Sequence, residues 1–164
     1  MDDSFAPVSG GCACGALRYA LTNPPLYVHC CHCTRCQRET GGPFAHHAAM
    51  AWCDLQLTQG TVCFKQVPSD SGTRHWVASC QVCATMIWNE WGSRRAVTRY
   101  LRVGTLDEPQ RFAPQAHIYI RSKQPWVTLG SVPGFQAHYA SNHWPEDSRR
   151  RWQQAKALRD AQRR

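Results

Sequence analysis

Short runs of strand-forming residues, broken by Gly, Pro, Asp and Ser, dominate the chain from Ala16 to about Trp126. The runs are Ala16–Leu21, Tyr27–Cys30, Phe44–Trp52, Thr61–Val67, His75–Ser79, Thr85–Trp91, Thr98–Val103 and His117–Arg121. They are rich in Val, Ile, Tyr, Trp and Thr, side chains that suit a pleated, half-buried surface. Thr34–Thr40 reads as one or two helical turns stopped by Gly41-Gly42. A longer helix is predicted after Pro145, where Trp152, Ala155 and Leu158 make a narrow apolar stripe and no Gly or Pro intervenes up to Arg164. The pattern predicts a mainly β domain with a C-terminal α-helix. Its parts are a loose leader over 1–9, the domain over 10–135, and a helical, basic extension over 136–164. Trp76, Trp88, Trp91 and Trp126 are expected to build the core.

The chain has 164 residues, 43% of them apolar, enough for one real core. No apolar run approaches the roughly 18–20 residues of a membrane-spanning helix. The start, Met1-Asp2-Asp3-Ser4-Phe5, is acidic and has neither a basic segment nor an apolar one after it. The expected compartment is therefore the reducing cytoplasm, where ten cysteines point to metal ligation or thiol chemistry before disulfides.

The cysteines fall into clusters. Cys12-Ala13-Cys14 lies among Gly10, Gly11 and Gly15; Cys80-Gln81-Val82-Cys83 is a C-x2-C knuckle. Two thiolates one or two residues apart can grip one zinc ion, and two such pairs complete a tetrahedron. Cys12, Cys14, Cys80 and Cys83 are thus a candidate structural site. Cys31, Cys33 and Cys36 form a C-x-C-x2-C set with no second pair to meet. Three ligands and one open position describe a catalytic zinc; Cys30, His29, His32 or a distant Cys63 closing the fourth position would make the site structural. Cys53 and Cys63 read as small buried hydrophobes, and Cys30 beside Cys31 offers a redox reading.

The net charge of +8 is unevenly placed. Residues 147–164 hold seven basic residues (Arg149, Arg150, Arg151, Lys156, Arg159, Arg163, Arg164) against Asp147 and Asp160. Seven metal-bound thiolates would leave the rest close to neutral. A basic tail contacting nucleic acid is the alternative function; without stacking aromatics, a solvated or packed helix is the expectation, and nucleic acid is not the expected partner.

These residues together resemble the glutathione-dependent formaldehyde-activating enzyme family, which also contains centromere protein V. The resemblance runs through Gly10–Gly15, Arg18-Tyr19, Cys31–Cys36, Gly41 and Phe44, then Cys80 and Cys83. It continues through Gly104-Thr105-Leu106-Asp107, Pro109, Pro114, His117-Ile118 and Pro125-Trp126. It spans about residues 10–135. Departures are Ala84 in place of a usual glycine, Ser79 in place of an aromatic, and Gln37 in place of a basic residue.

The resemblance implies a β-tent fold, a structural zinc at Cys12, Cys14, Cys80 and Cys83, and a catalytic zinc at Cys31, Cys33 and Cys36. It further implies carbon–sulfur lyase chemistry on a thiol adduct of a small aldehyde such as formaldehyde, with glutathione as a possible thiol. No residue beyond the metal ligands is assigned as catalytic. His32, His46, His47 and His117 read as surface or hydrogen-bonded histidines, and Arg35 and Arg38 as solvated charges able to meet ligand carboxylates.

Overall fold

The computed structural model describes residues 5–69, 72–93 and 95–162. It is mainly β, as the sequence pattern predicts. The strands are β1 Val8–Gly11, β2 Arg18–Leu21, β3 Tyr27–Cys31, β4 Ala45–Ala51, β5 Leu55–Gln59, β6 Val62–Val67, β7 His75–Cys80, β8 Met86–Trp91, β9 Thr98–Arg102, β10 Ala116–Ile118 and β11 Gly134–Phe135. Two α-helices accompany them, α1 Thr34–Thr40 and α2 Glu146–Ala161. A three-stranded sheet has the order β1-β2-β5, and an eight-stranded sheet the order β11-β10-β3-β4-β9-β8-β7-β6.

The first strand begins at Val8, inside the stretch expected to be a loose leader; Met1–Ser4 lie outside the described residues. Val8 is 1% exposed and pairs with Leu21, and Gly10 pairs with Tyr19. A Cβ on Gly10 would sit 2.4 Å from the Tyr19 ring, so the glycine lets this strand lie against the tyrosine. His117–Arg121 is strand only to Ile118; Tyr119 turns to φ +56° and a 3-10 turn follows over Ile120–Ser122.

Strand register sorts the large sheet into two faces. On one, Val28 lies opposite Ala48, Ala48 opposite Leu101, Leu101 opposite Trp88, and Trp88 opposite Ala78. This row packs with Val8, Tyr19, Leu21 and Leu55 of the small sheet as the main core. On the other face, His29 lies opposite His47 and His47 opposite Arg102; Tyr100 faces Asn89, and His75 faces Trp91. A second core covers part of that face, with Tyr27, Ala49 and Ile118 packed among Tyr139, Trp144 and Ala155. The segment from 136 onward is therefore part of the packed structure.

The tryptophan expectation needs correction. Trp88 is 2% exposed, whereas Trp91 is 37% and Trp126 71% exposed. Trp91 ends β8 on the partly open face, and Trp126 sits in an irregular segment off either sheet. Cys53 is only half-buried beside Asp54, and Cys63 is exposed on β6, the sheet's edge strand.

Candidate functional site

The turn after β1 and the turn between β7 and β8 bring Cys12, Cys14, Cys80 and Cys83 together, all four sulfurs within 4.8 Å of one another. A tetrahedral ion with metal–sulfur bonds near 2.3 Å needs sulfurs about 3.8 Å apart, so the set fits one ion, and the thiolate donors suit a soft one. Leu17 N–H donates to Cys12 Sγ at 3.2 Å and Val82 N–H to Cys80 Sγ at 3.4 Å. The Thr85 hydroxyl, 3.1 Å from Cys83 Sγ, and the Thr85 and Cys14 amides bring Cys83 down to about 5. Ala84 closes the turn with its N–H on Cys80 O at 3.0 Å and a left-handed φ of +59°.

The second set is built where β3 runs into α1. Cys31 ends the strand, Cys33 caps the helix and Cys36 lies in its first turn; Cys36 N–H donates to Cys33 Sγ at 3.3 Å. Gly41, at φ +65°, closes the helix with its N–H on Gln37 O. The three sulfurs lie within 4.8 Å of one another, and among the described residues no fourth ligand atom shares that grouping. Hydrogen bonds from Cys31 and Cys36 hold Cys33 far below the usual thiol range, and Cys31 rises in return, through those bonds and its burial.

None of the residues considered as a fourth ligand joins that grouping. Cys30 points to the opposite face of β3 from Cys31, which also removes the redox pairing of these neighbours. His32 Nε2 is 2.8 Å from His117 Nδ1, and His29 Nδ1 is 2.8 Å from the Tyr139 hydroxyl. Cys63 lies opposite Ser79 on β6.

The three thiols border a cavity of about 640 Å³, whose floor is the polar face of the large sheet. His29, His47, His75, Asn89 and Tyr100 come from five strands, and Tyr119 and His138 close it from the later segment. Burial lowers His29 to about 3 and puts His47 well below its ordinary value. Burial, helped by Arg35 and Arg102, brings His75 to about 4. The floor histidines are therefore neutral at pH 7. Arg102 donates to His47 Nε2 and to Glu39 Oε2, each at 2.8 Å, locking α1 to the sheet.

Sequence reasoning missed His75, Asn89, Glu39 and Arg102; the available signal was a polar residue inside a strand-like run. Arg35 pairs with Glu39 at 3.5 Å and lines the cavity, while Arg38 lies outside its lining. Gln37 donates to the carbonyls of His32 and Ser122, both at 2.8 Å, and so ties α1 to the segment carrying Arg121. The basic helix α2 is docked: Arg151 reaches Pro24 O at 2.9 Å and Trp152 Nε1 reaches Thr98 Oγ1 at 2.9 Å. Arg163 and Arg164 lie outside the described residues.

No curated protein matches the chain. A crystal structure of a Rhodobacter sphaeroides protein is similar at 21% identity, covering 77% of this chain and 98% of its own, with a TM-score of 0.43. The model of the glutathione-dependent formaldehyde-activating enzyme family matches residues 7–122. That stretch carries both cysteine clusters and every residue lining the cavity except His138, and the chain belongs to the glutathione-dependent formaldehyde-activating enzyme family.

Proposed function

We propose that the chain is a zinc-dependent carbon–sulfur lyase acting on the adduct of a glutathione-like thiol with a small aldehyde such as formaldehyde. One observation carries the reading: Cys31, Cys33 and Cys36 present three sulfurs, joined by no fourth ligand among the described residues, to a cavity of about 640 Å³. These residues would hold the reactive ion, and Cys12, Cys14, Cys80 and Cys83 the structural one. Zinc with three thiolates and an open position supplies Lewis acidity and favours the thiolate form of an added thiol.

The chain's own residues do the rest. Neutral His29, His47 and His75 floor the cavity without adding cations beside the sulfurs. Arg102, buried behind His47 and Glu39 of that cavity, is balanced by Glu39. Arg35 and Arg121 line the cavity and offer cations to the carboxylates of the thiol. The cavity is large enough for a peptide-sized thiol. Ten free thiols suit a reducing compartment, and we place the protein in the cytoplasm.

Metal analysis and cobalt substitution test the reading. Close to two metal ions are expected, and glutathione should change the visible absorption of cobalt in the site of Cys31, Cys33 and Cys36. Cys33→Ser should remove that ion and the response from a folded protein, whereas Cys80→Ser should cost folding itself, since structural zinc can contribute on the order of 10 kcal/mol. A cobalt spectrum that no thiol alters would overturn the lyase assignment.

A further inference from the structure

The cavity floor contains polar atoms that the protein itself leaves unsatisfied. His75 is 0% and Asn89 2% exposed. His75 Nδ1, His75 Nε2 and Asn89 Oδ1 are all buried without a hydrogen-bond partner. The nearest acidic group, Glu39 Oε1, is 4.0 Å from His75 Nδ1, beyond hydrogen-bond reach. Buried polar atoms in native proteins are nearly always paired, so several orphans lining one cavity point to a ligand or water placed between them.

Their placement is fixed. His75 lies opposite Trp91 and Val77 opposite Asn89, so His75 and Asn89 are diagonal neighbours on one face of β7 and β8. Trp91 stacks on the imidazole with a centroid separation of 4.0 Å and an angle of 1°, which sets the ring plane. Both residues line the cavity that Cys31, Cys33 and Cys36 border. Diagonal neighbours lie roughly 7–8 Å apart, a spacing that leaves room for one small group between the two side chains.

The chemistry of the orphans selects the occupant. Asn89 Oδ1 only accepts, and a neutral imidazole has one N–H to donate. A carbonyl or carboxylate only accepts and would set two oxygens against each other at Asn89. An ammonium would lose its water at this buried site, where burial first, and the field of Arg35 and Arg102 next, outweigh the pull of Cys33 and disfavour a cation at His75. A hydroxyl donates once and accepts as well, so it satisfies Asn89 Oδ1 and the His75 N–H together.

We propose that His75 and Asn89 form a hydroxyl-recognition pair that holds the carbinol oxygen of a thiol–aldehyde adduct, whose sulfur lies at Cys31, Cys33 and Cys36. This rests on the thiol-adduct reading above and adds the residues that distinguish the adduct from the bare thiol.

The test uses the full chain loaded with cobalt, and two thiols matched in size, 2-mercaptoethanol and 1-propanethiol, titrated by the visible absorption of the metal. The quantity compared is the ratio of their affinities in the wild-type chain and in the N89L, H75F and H75Q variants. Relative to wild type, the ratio should shift about tenfold against 2-mercaptoethanol in N89L and H75F, the loss expected for one hydrogen bond, and H75Q should retain most of the preference. Metal content checks that each variant keeps its sites; should H75F lose metal, N89L and H75Q decide by the same ratio. Both thiols binding with the same ratio in all the chains would overturn the hydroxyl pair and leave the thiol-adduct reading standing. No response to either thiol would overturn both.

Discussion

The indole N–H of Trp52 donates to the backbone carbonyl of Ala155 at 3.0 Å, a bond that joins the end of β4 to the middle of the C-terminal helix 103 residues later. Ala155 is 2% exposed beneath it, and Trp152 and Arg151 anchor the same helix to Thr98, Pro24 and Pro25. The extension is thus held to the domain by both packing and polar contacts.

Truncation after His143 is accordingly expected to destabilise the protein by about 2–4 kcal/mol, from lost apolar burial and at least three lost hydrogen bonds. All seven clustered thiols precede residue 84, so metal content should persist. Urea midpoints of the full and shortened chains, with metal analysis of both, check this. An unchanged midpoint would show the helix to be a detached tail. Any nucleic acid binding should be weak, fall steeply with salt and vanish with the truncation.

Arg102, which holds two residues of the cavity lining, is expected to be costly to remove. It bonds both His47 and Glu39, so Arg102→Met strands a buried imidazole and leaves a half-buried carboxylate with longer contacts to Arg35 and His75. The expected cost is about 2–4 kcal/mol. Burial is the main reason His47 lies so low, with Arg102 next; the His47 ring should therefore titrate at higher pH in the variant. A shift in the His47 ring resonances without change in the urea midpoint would refute the anchoring role.

Much of the thiol clustering is legible in the sequence because close thiol pairs act through local turns. Cys33 and Cys36 meet through one turn of helix, and Cys80 and Cys83 through one knuckle. The cavity floor was not legible, because His29, His47, Asn89 and His75 meet only through the order of strands. That order places β10 beside β3 and β9 beside β4, which local periodicity does not encode. β3 and most of β4 are also buried on both faces, so alternation of polar and apolar residues gives no sign of which side faces the cavity. The exposure of Trp126 escaped for a similar reason, since an aromatic residue carries no local mark of where its segment will lie.

Acid should destabilise the fold through the neutral histidines. His47 lies well below its ordinary value and His75 at about 4, each below the roughly 6.5 of an unfolded chain. The unfolded state therefore binds protons first as pH falls. The stability held by the neutral rings is complete above about pH 6.5 and is lost as pH falls, toward about pH 4 for His75. Two such groups should cost about 2–4 kcal/mol at pH 5. Urea unfolding at pH 7 and pH 5, with excess zinc at both, should show a shallower loss for the His47→Gln, His75→Gln double variant. Parallel losses would assign the acid sensitivity to other groups, the thiolates first among them.

Ala84 offers a stabilising change. It follows the Cys80-Cys83 knuckle at φ +59°, where the family usually has glycine, and its N–H closes the turn on Cys80 O. A side chain in this region costs roughly 1–2 kcal/mol, because Cβ crowds the neighbouring carbonyl. Glycine removes that strain but gives the unfolded chain more freedom, an offset of about 0.4–1 kcal/mol. Ala84→Gly should therefore raise stability by about 0.5–1 kcal/mol, seen as a higher urea midpoint at saturating zinc. The turn fixes the separation of two sulfurs of the candidate structural metal site, so the relaxed backbone should also slow metal loss to a chelator from the Cys12, Cys14, Cys80 and Cys83 set. The Cys31, Cys33 and Cys36 site shares no residue with the turn, and its metal should leave at the wild-type rate. A lowered midpoint would mean that the knuckle, and not the side chain, imposes the left-handed conformation at no cost to alanine.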